Sequence, residues 1–138
     1  MSKISRLIDA NLNRLKEGLR VLEDIARYVY DHKDFSAKIK TLRHSLQEVY
    51  SIERVKSRDI LGDVAKATTD SELKRGSLID LIIANFSRAE ESSRVLEEAF
   101  KLSEPKHSGL FKNIRYELYD LEREFLELAT TNSTSNVK

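Results

Sequence analysis

The chain has 138 residues, with 24 basic and 23 acidic side chains, 34% charged in all and a formal net charge of +1. That length suits one domain with a real core and is too short for two independent ones, and the near-cancelled charge leaves no general field to draw the chain to nucleic acid or membrane. No cysteine is present, which excludes a disulfide scaffold, a thiolate zinc site and cysteine nucleophilic chemistry; no apolar run approaches the length of a bilayer span, so a cytoplasmic protein is expected.

The first element is an amphipathic helix from Ser2 or Ser5 to about Tyr30. Its apolar stripe is Ile8, Leu12, Leu15, Leu19, Leu22, Ala26 and Val29, in alternating steps of four and three. A second row, Leu7, Asn11, Arg14, Gly18, Val21 and Ile25, runs beside it, so Asn11 and Arg14 are expected to face inward among apolar neighbours. Asp31 to Asp34 reads as a short polar turn, and a second helix over about 34–55 carries Phe35, Ile39, Leu42, Leu46 and Val49, with Arg43 at the edge of the stripe. From about Lys56 to Ser71 the periodicity fails. Residues Ser57 to Thr69 form the one long irregular connection, and long loops in compact domains are often functional. Arg58 to Asp63 within it reads equally as a turn closed by Gly62 or as a loop that closes over a charged ligand.

Thr69-Asp70-Ser71-Glu72 has capping-box spacing, and a third helix is expected from Ser71 to about Leu102, with Gly76-Ser77 marking a kink or a fraying first turn. Pro105 and Gly109 break the chain. A fourth helix over 109–129 has Phe111, Ile114, Leu118, Leu121 and Phe125 as its stripe, with Arg115 beside it. Residues 130–138 have too little to bury and are expected to be disordered.

The chain is internally duplicated. At an offset of 74, Ala10/Ala84, Asn11/Asn85, Arg14/Arg88, Glu17/Glu91, Arg20/Arg94, Val21/Val95, Leu22/Leu96 and Glu23/Glu97 are identical, eight of fourteen positions where chance gives about one. At an offset of 72, Lys40/Lys112, Arg43/Arg115 and Leu46/Leu118 also coincide. These features predict an all-α domain over 1–129, a four-helix bundle of two duplicated helical hairpins (about 2–55 and 71–129) with an approximate twofold axis.

Asn11, Arg14, Arg43, Asn85, Arg88 and Arg115 all lie on or beside apolar stripes, and Gly18 and Ser92 leave room next to them. A buried guanidinium needs an anionic partner, supplied either by acidic residues of neighbouring helices or by a ligand. Glu17 and Glu91, at the edge of the inner face, are placed to hold the arginines or a metal ion. Arg20 and Arg94 point the opposite way and are expected to pair on the surface with Asp24 and Glu98. His32, His44 and His107 have no metal-ligand spacing, and no glycine-rich phosphate loop is present. From the residues alone, a bundle with an anion-binding face stands beside a non-catalytic helical adaptor or regulator. An adaptor would have a partner helix on one face and no use for nucleotide.

Read as a string, Asp9-Ala10-Asn11 with Asn13-Arg14, Glu17 to Asp24 and Arg27 resembles the small all-helical hydroxymethylpyrimidine phosphate kinase of thiamine biosynthesis, a domain that occurs alone or fused ahead of thiamine phosphate synthase. The likeness continues through Leu42-Arg43, Arg58-Asp59, Gly62-Asp63, Glu72, Arg75, Ala84-Asn85-Phe86, Arg88, Glu91, Arg94 to Glu98, Arg115-Tyr116, Tyr119 and Leu121-Glu122. Ala65-Lys66 and Ser92-Ser93 depart from the pattern.

The resemblance implies ATP-dependent phosphorylation of hydroxymethylpyrimidine monophosphate to the diphosphate, with the free alcohol excluded, and no synthase barrel, so a standalone domain. It implies ATP and Mg2+ as cofactors and a phosphorylated pyrimidine as the other small-molecule partner. Neither nucleic acid nor membrane is expected as a partner, and homo-oligomerisation stays open. Combined with spacing, it gives Asn11, Arg14, Arg43, Asn85, Arg88 and Arg115 as substrate-binding, Asp59 and Arg58 as catalytic, and Asp59, Asp63, Glu17 and Glu91 as metal partners. Phosphoryl transfer is mostly positioning and charge neutralisation, which suits such a set. Which half would take nucleotide stays open.

Overall fold

In the computed structural model, residues 2–67 and 75–131 are described, and among them all regular structure is helical. Helix α1 spans Ser2–Asp24 and runs on into a π-helical turn, Ile25–Val29. Helix α2, Lys33–Ser45, is followed by a 3-10 turn, Leu46–Val49, and a short helix α3, Ile52–Lys56. Helix α4 spans Leu78–Ser103, a 3-10 turn covers Pro105–His107, and α5 spans Ser108–Thr131. None of these helices is long and apolar enough to cross a membrane.

Local chemistry explains most of the boundaries. Asp31, at φ 50°, turns the chain after the π turn; His32 then caps α2, its Nδ1 accepting from the Phe35 N–H at 3.2 Å while its ring stacks on Phe35 at 4.1 Å. Ser77 caps α4 by accepting from the Asp80 N–H at 3.1 Å, so Gly76-Ser77 stands before a helix start and not inside a helix. The expected capping box at Thr69–Glu72 lies outside the described residues.

Two boundaries correct the sequence reading. The expected second helix over 34–55 is broken, because Tyr50 and Ser51 are extended (ψ 138° and 122°) and the Ser51 hydroxyl caps α3 by accepting from the Arg54 N–H. Its counterpart α5 runs unbroken, and Thr130 and Thr131 belong to it, the Thr130 hydroxyl donating back to the Leu126 carbonyl at 2.7 Å. Residues 132–138 lie outside the described set.

Helix α1 packs along α4, while α2 packs on α1 and α5 on α4. The α1 stripe buries Ile8, Leu15, Leu19 and Leu22, facing Ile82, Phe86, Ala89, Leu96 and Phe100 of α4 and Phe111, Leu118 and Phe125 of α5. Each of the isoleucines, leucines and phenylalanines among them contributes about 1.5–3 kcal/mol when fully buried. Phe125 links the two hairpins, stacking on Phe35 at 5.6 Å and meeting Phe86 edge-on at 5.7 Å. Gly18 lies close against α4: a Cβ there would lie 3.3 Å from the Asn85 carbonyl oxygen and 3.7 Å from Ala89. The space expected beside Gly18 for a ligand is therefore filled by the α4 backbone. The duplication is visible in the bonding, since the Asn11 amide donates to the Leu7 carbonyl at 3.0 Å and the Asn85 amide to that of Leu81 at 2.9 Å.

Candidate anion-binding site

The four residues expected to face inward divide into two kinds. Asn11 and Asn85 are buried, whereas Arg14 and Arg88 are exposed, which corrects the reading of all four as core-facing. The reason lies in where the buried carboxylates sit. Asp9, Glu23 and Glu97 are each taken by another arginine, so a guanidinium at position 14 or 88 reaches water along its aliphatic stem instead of entering the interface.

Those three pairs make the polar framework of the molecule. Arg43 on α2 meets Glu23 on α1, with Nε–Oε1 at 2.8 Å, and Arg115 on α5 meets Glu97 on α4, with Nη2–Oε1 at 2.8 Å. Arg58 grips Asp9 with two parallel bonds of 2.8 and 2.9 Å, which raise its already high pKa. Arg94 leans toward Glu97 at 3.7 Å, not toward Glu98 as expected, because Glu98 is held by Lys101 at 2.6 Å; Arg20 does pair with Asp24, at 3.7 Å.

Where α2 breaks, a cavity of about 660 Å3 opens between α1, α2 and α3. Helix α1 lends it Asp9, Leu12, Asn13 and Lys16, spaced so that they share one face; α2 and its 3-10 turn lend Arg43, His44 and Gln47, and the α3 region lends Tyr50, Arg54 and Arg58. Its wall thus holds four cations and one carboxylate. Arg43 and Arg58 are already matched by glutamate and aspartate, and Arg54 is buried, donating to Glu104 at 3.0 Å and to the Val49 carbonyl. The Arg54 Nε remains buried without a hydrogen-bond partner among the described residues. Lys16 has no ion-pair partner among them either, and so carries the cavity's unmatched charge.

Of the residues singled out in the sequence, Arg43 and Arg58 come together in this cavity. Asn11 and Asn85 are tied to their own helices, and Arg115 is closed in by Glu97, with its guanidinium 5.0 Å from the Tyr116 ring and 5.8 Å from that of Tyr119. Asp59 follows Arg58 out of the cavity wall, its carboxylate accepting from the Gly62 N–H at 2.7 Å while Arg6 holds its carbonyl at 3.2 Å; the Asp63 carboxylate accepts from the Ala65 N–H at 3.0 Å. Asp59, Asp63, Glu17 and Glu91 are all exposed, and no three acidic or histidine side chains among the described residues gather in a way that would hold a metal ion by themselves. Asp59 and Asp63 each keep a second carboxylate oxygen, enough for a magnesium ion that takes most of its ligands from phosphate and water.

Lys16, Gln47 and Arg54 were not singled out by sequence, and His44 entered only as a histidine without metal-ligand spacing. Asn13 and Asp9 entered only through the motif, and Glu23 and Glu97 only through the motif and as identities in the repeat, with no site role. For Arg54 the available signal was Ser51 three residues earlier, a helix cap that announces the break.

The sequence profile described as the ThiD2 family matches residues 6–124. The chain is 38% identical to a thiamine-phosphate synthase of Prochlorococcus marinus subsp. pastoris, over 98% of this chain and 39% of that protein. It is 36% identical to one of Nostoc punctiforme, over 89% of this chain and 35% of the relative, and 35% identical to one of Rhodopirellula baltica, over 96% and 37%. The chain therefore spans less than two fifths of the length of these relatives. No solved structure matches it significantly. These names bear out the expected link to thiamine biosynthesis. They also correct the expected enzyme, since the relatives are named thiamine-phosphate synthase and not hydroxymethylpyrimidine phosphate kinase. Matched over most of its length by that profile, the chain belongs to the ThiD2 family.

Proposed function

We propose that in thiamine biosynthesis this chain holds a phosphorylated pyrimidine in the cavity between α1, α2 and α3. The observation that carries this is the cavity wall: among the described residues, Lys16 without an ion-pair partner, Arg54 buried with an unbonded Nε, and Arg43 and Arg58 fixed by Glu23 and Asp9. Arginines held by carboxylates are positioned before the ligand arrives, so little side-chain entropy is lost on binding. Lys16 supplies the charge that a phosphate dianion completes. Asn13, His44 and Gln47 bring donors and acceptors for a heterocycle that carries ring nitrogens and an amino group. An alcohol lacking the phosphate would leave Lys16 unmatched, which selects against it.

ATP and magnesium are the proposed co-ligands. The Arg58–Asp63 loop, anchored on α1 through Asp9, is the proposed cover, with Ile60 and Leu61 exposed at its tip. A thermal-shift series tests the reading. Hydroxymethylpyrimidine monophosphate should raise the melting temperature, by the equivalent of about 2.7 kcal/mol at a hundredfold excess over Kd, and the free alcohol should not. Lys16→Ala should abolish most of the shift. Equal shifts with the alcohol and the phosphate, or a shift untouched by Lys16→Ala, would remove the cavity from the account. Adding ATP and magnesium to the same mixture reads the finer step, whether a diphosphate forms.

A further inference from the structure

The cavity between α1, α2 and α3 lies in the first half of the chain, yet one of its cations is held from the second. Helix α3 contributes Arg54, whose Nη1 donates to Oε1 of Glu104 at 3.0 Å, across 50 residues of sequence. Glu104 directly follows α4, and it is the one carboxylate within ion-pair distance of Arg54 among the described residues.

The duplication does not supply this contact. Arg43–Glu23 and Arg115–Glu97 each lie within one half, whereas Arg54 corresponds to Leu126 at the offset of 72 that aligns Arg43 with Arg115. The tie between halves occurs at the copy that has the cavity, and the other copy has an apolar side chain there. Glu104 is itself firmly placed. Its N–H donates to the Phe100 carbonyl at 2.8 Å and its carbonyl accepts from the His107 N–H at 3.0 Å, closing the 3-10 turn that Pro105 opens. Its second carboxylate oxygen lies 3.4 Å from His107 Nε2, and the Ser108 hydroxyl ties the turn back to α4 by donating to the Glu97 carbonyl at 2.9 Å. The Phe100 ring lies against both partners, 5.3 Å from the Arg54 guanidinium and 5.4 Å from the His107 ring. The Arg54 bond to the Val49 carbonyl comes from its own segment and moves with it.

An arginine carries much rotamer freedom, and an anion that must first order it binds more weakly. We infer that Glu104 is a positioning residue for the cavity: it fixes the Arg54 guanidinium in the wall, so that capture of a phosphate by the first half depends on a side chain from the second. The inference deepens the proposed function and rests on it in taking this cavity as the phosphate site. Position and charge act in opposite directions here, because a carboxylate near the cavity also repels an anion.

Calorimetric titration of hydroxymethylpyrimidine monophosphate and of inorganic phosphate into the whole chain separates the two effects. Glu104→Gln keeps an acceptor at the same reach without the charge, and should bind both ligands at least as tightly as the wild type. Glu104→Asp keeps the charge but withdraws it by one methylene; it should bind both about tenfold more weakly, as should Glu104→Ala. In an Arg54→Ala background Glu104→Ala should have no further effect, since Glu104 acts through that guanidinium. Unchanged or tighter binding in folded Glu104→Asp and Glu104→Ala would overturn the inference, as would an equal loss from Glu104→Ala with Arg54 absent. Should Glu104→Ala melt early, the comparison of Glu104→Gln with Glu104→Asp carries the test. If the pyrimidine phosphate binds no better than inorganic phosphate while both follow this pattern, the proposed function falls and the role of Glu104 stands; if neither binds the wild type, both fall.

Discussion

Arg43 and Arg115 occupy corresponding places in the two duplicated halves, and each grips the glutamate its own half supplies, Glu23 or Glu97. Their surroundings differ. In the second half Tyr116 and Tyr119 flank the guanidinium, the Tyr119 hydroxyl meets its Nη1 at 3.4 Å, and α5 continues past it for four further turns to Thr131. At the same places in the first half, by the offset of 72, stand His44 and Gln47, and α2 ends two residues after Arg43. The ion pair that closes one half therefore opens onto a cavity in the other. Duplication supplied one framework twice, and the smaller side chains with the helix break left one copy open to a cavity.

The largest expected effect of breaking this comparison lies in the closed half. Glu97→Ala leaves Arg115 and its tyrosines without the carboxylate they surround, and should lower the melting temperature by about 10 °C, as removal of one partner from a buried pair does. Glu23→Ala should cost less, because Arg43 can turn into the cavity and reach water. Calorimetric melting of both variants checks the order; a larger loss from Glu23→Ala would mean that the first half is the structural one.

A smaller effect, readable only as pH dependence, comes from Glu90 on α4. One of its carboxylate oxygens is buried without a hydrogen-bond partner among the described residues; burial first, and then Glu122 of α5 sharing a hydrogen bond, push its pKa up to about 8. A carboxyl whose folded pKa lies above its unfolded value of 4.5 stabilises the fold fully below that lower value, and the contribution disappears as pH rises through about 8. Melting temperature should therefore fall between pH 5 and 9. Glu90→Gln keeps the shape without the titration, so its profile should be flatter and its advantage greatest at high pH. A steeper profile in that variant would show that Glu90 is charged in the folded protein.

Much of the architecture was legible because it depends on short-range periodicity. The stripes on α1, α4 and α5 predict the buried leucines and phenylalanines, and the repeat pointed to paired hairpins before any contact was known. The site was harder. A helical row places Arg14 beside Asn11 in angle, but which of them is buried depends on where the nearest free carboxylate lies in three dimensions, and Asp9, Glu23 and Glu97 are claimed from other elements. Arg43 was legible as an edge residue of its stripe. Lys16 was not, because an unpaired lysine on a polar helix face looks like ordinary surface until the break at Tyr50 and Ser51 brings Arg54 and Arg58 to the same cavity.

The central claim is that openness around Arg43 makes the first half a phosphate site, and it can be tested by giving that half the second half's side chains. His44→Tyr/Gln47→Tyr should enclose Arg43 as Tyr116 and Tyr119 enclose Arg115, on positions that are exposed and so should tolerate the change. The measurement is the affinity of this variant for hydroxymethylpyrimidine monophosphate, with cooperative melting as the check on folding. The account predicts a folded protein that binds the ligand at least about tenfold more weakly, a loss of about 1.4 kcal/mol; wild-type affinity in a folded double variant would contradict it.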